Sequence, residues 1–169
     1  MARRVRPGFD DEPQSAAQRA VQKARERGLE LDEQPRVAAP KLSDDLTEWT
    51  SEGISGLLVD FTNWSSYASG QLALAAIDEK EAEANLAMAQ ARAAVAAKGE
   101  KSVAAQKAAA ADDPDVREAT ACVLDTYALR KVLEAKYSEL DSKAKVTSRE
   151  ITRRTGTRDI ENRSGKWGT

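Results

Sequence analysis

Lysine and arginine crowd the last stretch of this chain. Eight of residues 143–169 are basic (Lys143, Lys145, Arg149, Arg153, Arg154, Arg158, Arg163 and Lys166), three are acidic, and one is aromatic, Trp167, with Gly165 and Gly168 around it. Cations at this density can track a phosphate backbone. Each one that displaces a condensed counterion adds affinity that is independent of sequence and weakened by salt. Trp167 could stack on an unpaired base, worth ~1–3 kcal/mol where the geometry allows. On a helix, Lys145, Arg149 and Arg153 are four apart and share a face, with Lys143 and Arg154 expected close to it. The helix is expected to fray near Gly156, leaving Arg158, Arg163 and Lys166 on a basic tail. The competing reading is a solvated helix end, whose cations meet the negative end of the dipole.

Other residue groups carry weaker signals. Arg3, Arg4 and Arg6 in "ARRVR" form a secondary basic arm suited to phosphates or an acidic protein groove. Trp49, Phe61, Trp64 and Tyr67 could be taken for a base-stacking platform, but their helical spacing reads as core or subunit interface. The stripe expected to make that core or interface is Trp49, Leu57, Phe61, Trp64, Tyr127, Tyr137 and Leu140. Lys98, Lys101 and Lys107 read as solvated, and Glu79, Glu81 and Glu83 as surface charge without a second carboxylate set for a metal. The chain has no histidine and one cysteine. Histidine acid-base chemistry, Ser-His and Cys-His pairs and multi-Cys zinc sites therefore lack their parts. A non-enzymatic protein without cofactor or metal is expected, with Cys122 a small apolar helix residue.

The elements that must position these groups follow from composition. Of 169 residues, 32% are charged and 5% aromatic, and 17 of the 37 residues from Ala75 to Ala111 are alanine. That composition favours long helices over a large globular core. Net charge is −2 but unevenly laid out: +3 over residues 1–27, −10 over 28–142 and +5 over 143–169. No run approaches the ~20 apolar residues that cross a bilayer. "MARRVRPGFDDEPQ" has no hydrophobic segment after its basic start, and Asp10, Asp11 and Glu12 fit a mitochondrial presequence poorly. A non-membrane protein is expected, and one cysteine fits a reducing compartment.

Residues 1–42 read as a flexible arm. Ser15 caps a short helix that Gly28 stops, and a linker with Pro35 and Pro40 follows. Ser43 is the expected cap of a first long helix over 43–97, with Asp44, Asp45 and Glu48 at its positive end. Gly53, Gly56 and Gly70 are possible break points, each costing roughly 1 kcal/mol against Ala. A tip over 98–114 holds Gly99, a short helix capped by Ser102, and Asp113-Pro114 as the restart. The second long helix is expected over 115–155, facing inward with Val116, Ala119, Val123, Tyr127, Leu133, Tyr137, Leu140, Ala144 and Ile151, and residues 156–169 form the tail. The fold class is all-α: a long antiparallel helical hairpin, coiled-coil-like, with an extended N-terminal arm. Its aromatic end has more apolar surface than one partner stripe covers, so a homo-oligomer is expected.

From "LTEWTSEGISGLLVDFTNWSSYASG" through "DDPDVREATACVLDTYALRKVLEAKYSELDSKAKVTSREITRR", over residues 46–155, the chain resembles small helical-hairpin proteins encoded among phage replication and recombination genes. It is distantly similar to the UvsY-type recombination mediators. The shared pattern is early aromatics near "NWSSY", an alanine- and acid-rich stretch, a Lys/Ser tip, a "DP" restart and a basic close. The resemblance implies an oligomer that binds single-stranded DNA in the host cytoplasm, contacts the single-strand-binding protein and helps load a recombinase. Lys143, Lys145, Arg149, Arg153 and Arg154 would inherit the DNA role. The N-terminal arm and the Gly-, Arg- and Trp-containing end depart from that pattern. A virion assembly protein of the head or connector, docking both arms on neighbouring phage structural proteins, is the alternative, and a coiled-coil adaptor for a protein partner a third.

Overall fold

The structure is a computed structural model that describes residues 14–99 and 102–166. It is all-α among these residues, in the order α1 (Ala16–Glu26), α2 (Ser51–Ala96), a 3-10 turn (Ala97–Gly99), α3 (Val103–Asp112) and α4 (Pro114–Lys166). Side chains of residue 159 and of residues 161–166 lie outside the described set, as do residues 1–13 and 167–169.

α2 and α4 dominate and run in opposite directions. Glu79 of α2 meets Arg130 of α4. Phe61 and Leu140 share one buried cluster, and Arg154 reaches the residues just ahead of α2. The 46 residues of α2 make a rod of roughly 69 Å at ~1.5 Å per residue. Its buried face is written in sevens: Ile54, Phe61, Ala68, Ala75 and Ala82 are all buried. α4 answers with a seam alternating three and four residues from Val116 through Ala119, Val123, Thr126, Arg130 and Leu133 to Tyr137, Leu140, Ala144, Thr147, Ile151 and Arg154. Each of these is buried or half-buried. A 3-4 alternation keeps one seam inward only if the helices coil gently about each other. Fully burying Phe61, Ile54 or Leu140 stabilises the pair by about 1.5–3 kcal/mol each.

The seam corrects the expected inward face at one position. Tyr127 is 46% exposed, because the 3-4 register falls on Thr126 and Arg130 instead. Its ring lies outside the seam with the Arg130 guanidinium 5.5 Å and the Lys131 ammonium 5.9 Å from its centroid. Trp49 is also exposed, at 38%. Leu57, Phe61 and Leu140 do form the core, with Trp64 and Tyr137 packed against it.

Two boundaries differ from the sequence reading. The first long helix starts at Ser51, not near Ser43. Thr50 is its cap, accepting from the Gly53 amide at 3.1 Å. Asp45 turns the chain earlier, accepting from the Thr47 amide at 2.8 Å and hydroxyl at 2.6 Å, and that local bonding competes with helix. Gly53, Gly56 and Gly70 leave α2 unbroken. α4 continues through Gly156 to Lys166 instead of ending near Thr155, so Arg158, Arg163 and Lys166 stand on helix. The restart follows its signals: Asp113 Oδ1 accepts from the Asp115 amide at 2.9 Å, with Pro114 at the first helical position.

Residues 14–50 are laid along the helix pair, although a flexible arm was expected over residues 1–42 and helix from 43. Ser15 and Gln18 close a capping box at the start of α1. Gly28, at φ 75°, turns the chain after it, a conformation that favours glycine. From there the chain travels back along α2. The Ala16 amide donates to Glu81 at 2.9 Å, and Leu31 lies beside Gly70. The Trp64 indole donates to the Val37 carbonyl at 2.9 Å, and Leu42 and Leu46 pack on the Leu57, Phe61 and Leu140 cluster. The chain's own N-terminal strap thus covers aromatic surface that the sequence left for another subunit.

Candidate nucleic-acid interface

The basic end of α4 divides into two sides. At about 100° per residue, Lys145 and Arg153 lie roughly 40° either side of Arg149, whereas Lys143 and Arg154 lie about 120–140° away. Lys143 flanks the seam toward α2 and Arg154 stands on it, so neither joins the Lys145, Arg149 and Arg153 face where it was expected. Arg158 falls nearly opposite Arg149, yet it is exposed because it stands beyond the start of α2.

Carboxylates already hold most of these cations. Lys143 and Lys136 both bond Glu139, and these contacts, Lys143's first, bring its carboxyl down to about 2. Lys145 sits 2.5 Å from Asp141, which raises its affinity for a proton. Arg153 and Arg154 converge on Glu150 at 2.6 and 2.7 Å, holding that carboxyl at about 2. Lys145 and Arg153, whose own side chains are 65% and 59% exposed, can leave their carboxylates for a phosphate at little cost, since a solvent-exposed pair is worth ~0–1 kcal/mol. Arg149 and Arg158 are exposed and form no ion pair among the described residues.

Arg154 has a different task from its neighbours. Its Nη1 donates to the Trp49 carbonyl at 2.6 Å and its Nη2 to the Leu46 carbonyl at 2.5 Å, while Nε holds Glu150. Those carbonyls belong to the irregular turn before α2, in which the Leu46 carbonyl also accepts from the Trp49 amide at 3.2 Å. Arg154 is a clamp between the end of the seam and the strap, its guanidinium engaged within the fold. The signal was present in the sequence, because Arg154 is the next seam step after Ile151.

Arg163 and Lys166 lie on α4, with side chains outside the described residues. Trp167 and the secondary arm of Arg3, Arg4 and Arg6 also fall outside them. Of the acids read as surface charge, Glu79 is instead buried against Arg130 and Glu81 holds the Ala16 amide and Arg19, whereas Glu83 is exposed and pairs Lys80 on the surface of α2. Among the described residues no group of three or more His, Cys, Asp or Glu could hold a metal ion, and no helix is long and apolar enough to cross a membrane. No protein-family model, curated protein or solved structure matches the chain.

Proposed function

We propose that this chain is a non-enzymatic accessory protein of phage recombination or replication that binds single-stranded DNA through the outer face and projecting end of α4. The observation that carries the reading is the combination of exposed Arg149 and Arg158, which form no ion pair among the described residues, with a helix that runs on past the start of its partner. The projecting part, from Thr155 to Lys166, adds roughly 18 Å of helix at ~1.5 Å per residue. Lys145 and Arg153 extend the Arg149 face by exchanging their carboxylate partners, Asp141 and Glu150, for phosphate. Arg163, Lys166 and Trp167 continue the basic segment in sequence. In this role the protein self-associates, meets the single-strand-binding protein and assists recombinase loading.

Fluorescence anisotropy of labelled single strands, titrated with salt, tests the reading. Arg149→Gln with Arg158→Gln should weaken binding and flatten its salt dependence, since each lost phosphate contact removes a released counterion. Neither residue holds the fold together, so helicity and melting should stay at wild-type values. Absence of binding at low salt would sink the proposal.

One observation favours a second reading. Ile160 is 69% exposed on the projecting helix, an apolar side chain that a phosphate backbone has no use for. A virion assembly protein would dock it in a neighbouring structural protein. Mass spectrometry of purified particles separates the two, because a structural component is present in fixed copy number.

A further inference from the structure

α4 carries a second apolar stripe that the helix pair does not use. Leu124 is 62% and Val132 66% exposed, and exposed Ala121, Ala128 and Ala135 complete an outward arc between them. About Ala128 these residues stand at steps of −7, −4, 0, +4 and +7, alternating alanine and a larger aliphatic. The arc is therefore the same read from either end. A surface with that property is complementary to itself under a two-fold rotation that reverses the helix direction.

The charges around the stripe choose the same arrangement. Arg117 lies eleven residues before Ala128 and Glu139 eleven after, both exposed and within roughly 20° of the arc's centre at about 100° per residue. Antiparallel pairing about Ala128 puts Arg117 of each chain against Glu139 of the other. Glu118 and Lys136, which share one edge of the arc, meet across the interface in the same way. Parallel pairing would instead oppose Arg117 to Arg117 and Glu139 to Glu139. Rim charges of this sort contribute little affinity but decide orientation by penalising the wrong one. Glu139 also keeps its own Lys136 and Lys143, so its partner arginine joins an existing network. Alanine at the crossing lets the two helices approach closely, and the span from Arg117 to Glu139 is ~33 Å of helix.

We infer that the outer face of α4, centred on Ala128, is the interface of an antiparallel homodimer in which Leu124 of one chain packs against Val132 of the other. This deepens the self-association in the proposed function and places it away from the aromatic stripe. It stands apart from the DNA face, so the two readings fail separately.

Light scattering on the full chain, without nucleic acid, measures the mass. The wild type should have twice the chain mass, and Leu124→Glu with Val132→Glu should halve it while leaving helicity by circular dichroism unchanged. Disulfide trapping in a Cys122→Ser background keeps the test sound if that variant unfolds. Ala128→Cys chains should crosslink to themselves, and Leu124→Cys should crosslink to Val132→Cys in a mixture but not to itself. A wild-type mass of one chain, or Leu124→Cys crosslinking only to itself, overturns the inference.

Discussion

Glu79 and Arg130 face each other near the middle of the long helix pair, with side chains 11% and 25% exposed, and theirs is the one ion pair joining α2 to α4 among the described residues. Arg130 occupies a seam position that its neighbours Thr126 and Leu133 bracket at steps of four and three. An ion pair buried at such a place sets register more than it adds stability. Slipping one helix by a turn would bury both charges unpaired, and that costs far more than a misplaced alanine.

Removing one partner should therefore hurt more than removing both. Glu79→Leu should lower the melting temperature clearly, since it leaves the guanidinium half-buried without its carboxylate. Glu79→Leu with Arg130→Leu should recover most of the loss, the apolar pair filling the seam. Thermal melts of the two single variants and the double give the coupling directly. Equal and additive losses would show that the pair is not coupled.

The packed end of the pair should be the most sensitive to truncation. Phe61 is fully buried and Leu140 nearly so, both in the cluster that also receives Leu42 and Leu46 from the strap. Phe61→Ala should cost about 3–5 kcal/mol and Leu140→Ala about 2–5 kcal/mol in urea unfolding. Ala93→Gly, at the alanine-rich end, should cost roughly 1 kcal/mol, mostly helix propensity. Comparable losses at the two ends would show that the core is spread evenly along the rods.

The pattern of what could be read from sequence follows from where each force acts. All-α composition, the Ser15 cap, the Asp113-Pro114 restart and the inward Leu57, Phe61 and Leu140 were legible because caps and apolar periodicity are local. Ser43 misled because Asp45 and Thr47 satisfy each other in a turn, and only Thr50 is free to cap α2. Gly156 misled because one glycine costs a long helix roughly 1 kcal/mol, too little to stop it. Tyr127 misled because the eye takes an aromatic over Thr126 and Arg130, although the 3-4 count selects them. The strap was illegible. Its contacts join Leu31 to Gly70 and Val37 to Trp64, and neither pairing leaves a trace in periodicity.

Arg154 and Arg149 offer a way to separate structure from binding within one basic cluster. Arg154→Ala removes the donors to the Leu46 and Trp49 carbonyls and one partner of Glu150. Hydrogen exchange should quicken in the turn before α2 and in the adjoining strap, and the melting temperature should fall. Arg149→Ala should leave both unchanged. A stable Arg154→Ala protein with unaltered exchange at residues 42–50 would remove the clamp.

Acid should loosen the same end of the molecule by a route with a definite sign. Glu139 and Glu150 are both held at about 2, below the ordinary 4.5, by hydrogen bonds from Lys143 and Lys136 in one case and from Arg153 and Arg154 in the other. A carboxyl whose folded value is depressed contributes stability that is complete above its unfolded value and is lost as pH falls toward the folded one. The contribution of these two groups is thus constant at neutral pH and disappears between about 4.5 and about 2. Glu150 is the more protected, its side chain 15% exposed, and its protonation frees Arg154 of a carboxylate that helps aim it at the turn. Glu150→Gln should lower stability at pH 7 and flatten the acid limb of a melting-temperature profile. A variant whose profile still falls in parallel with the wild type would show that Glu150 is not part of the acid response.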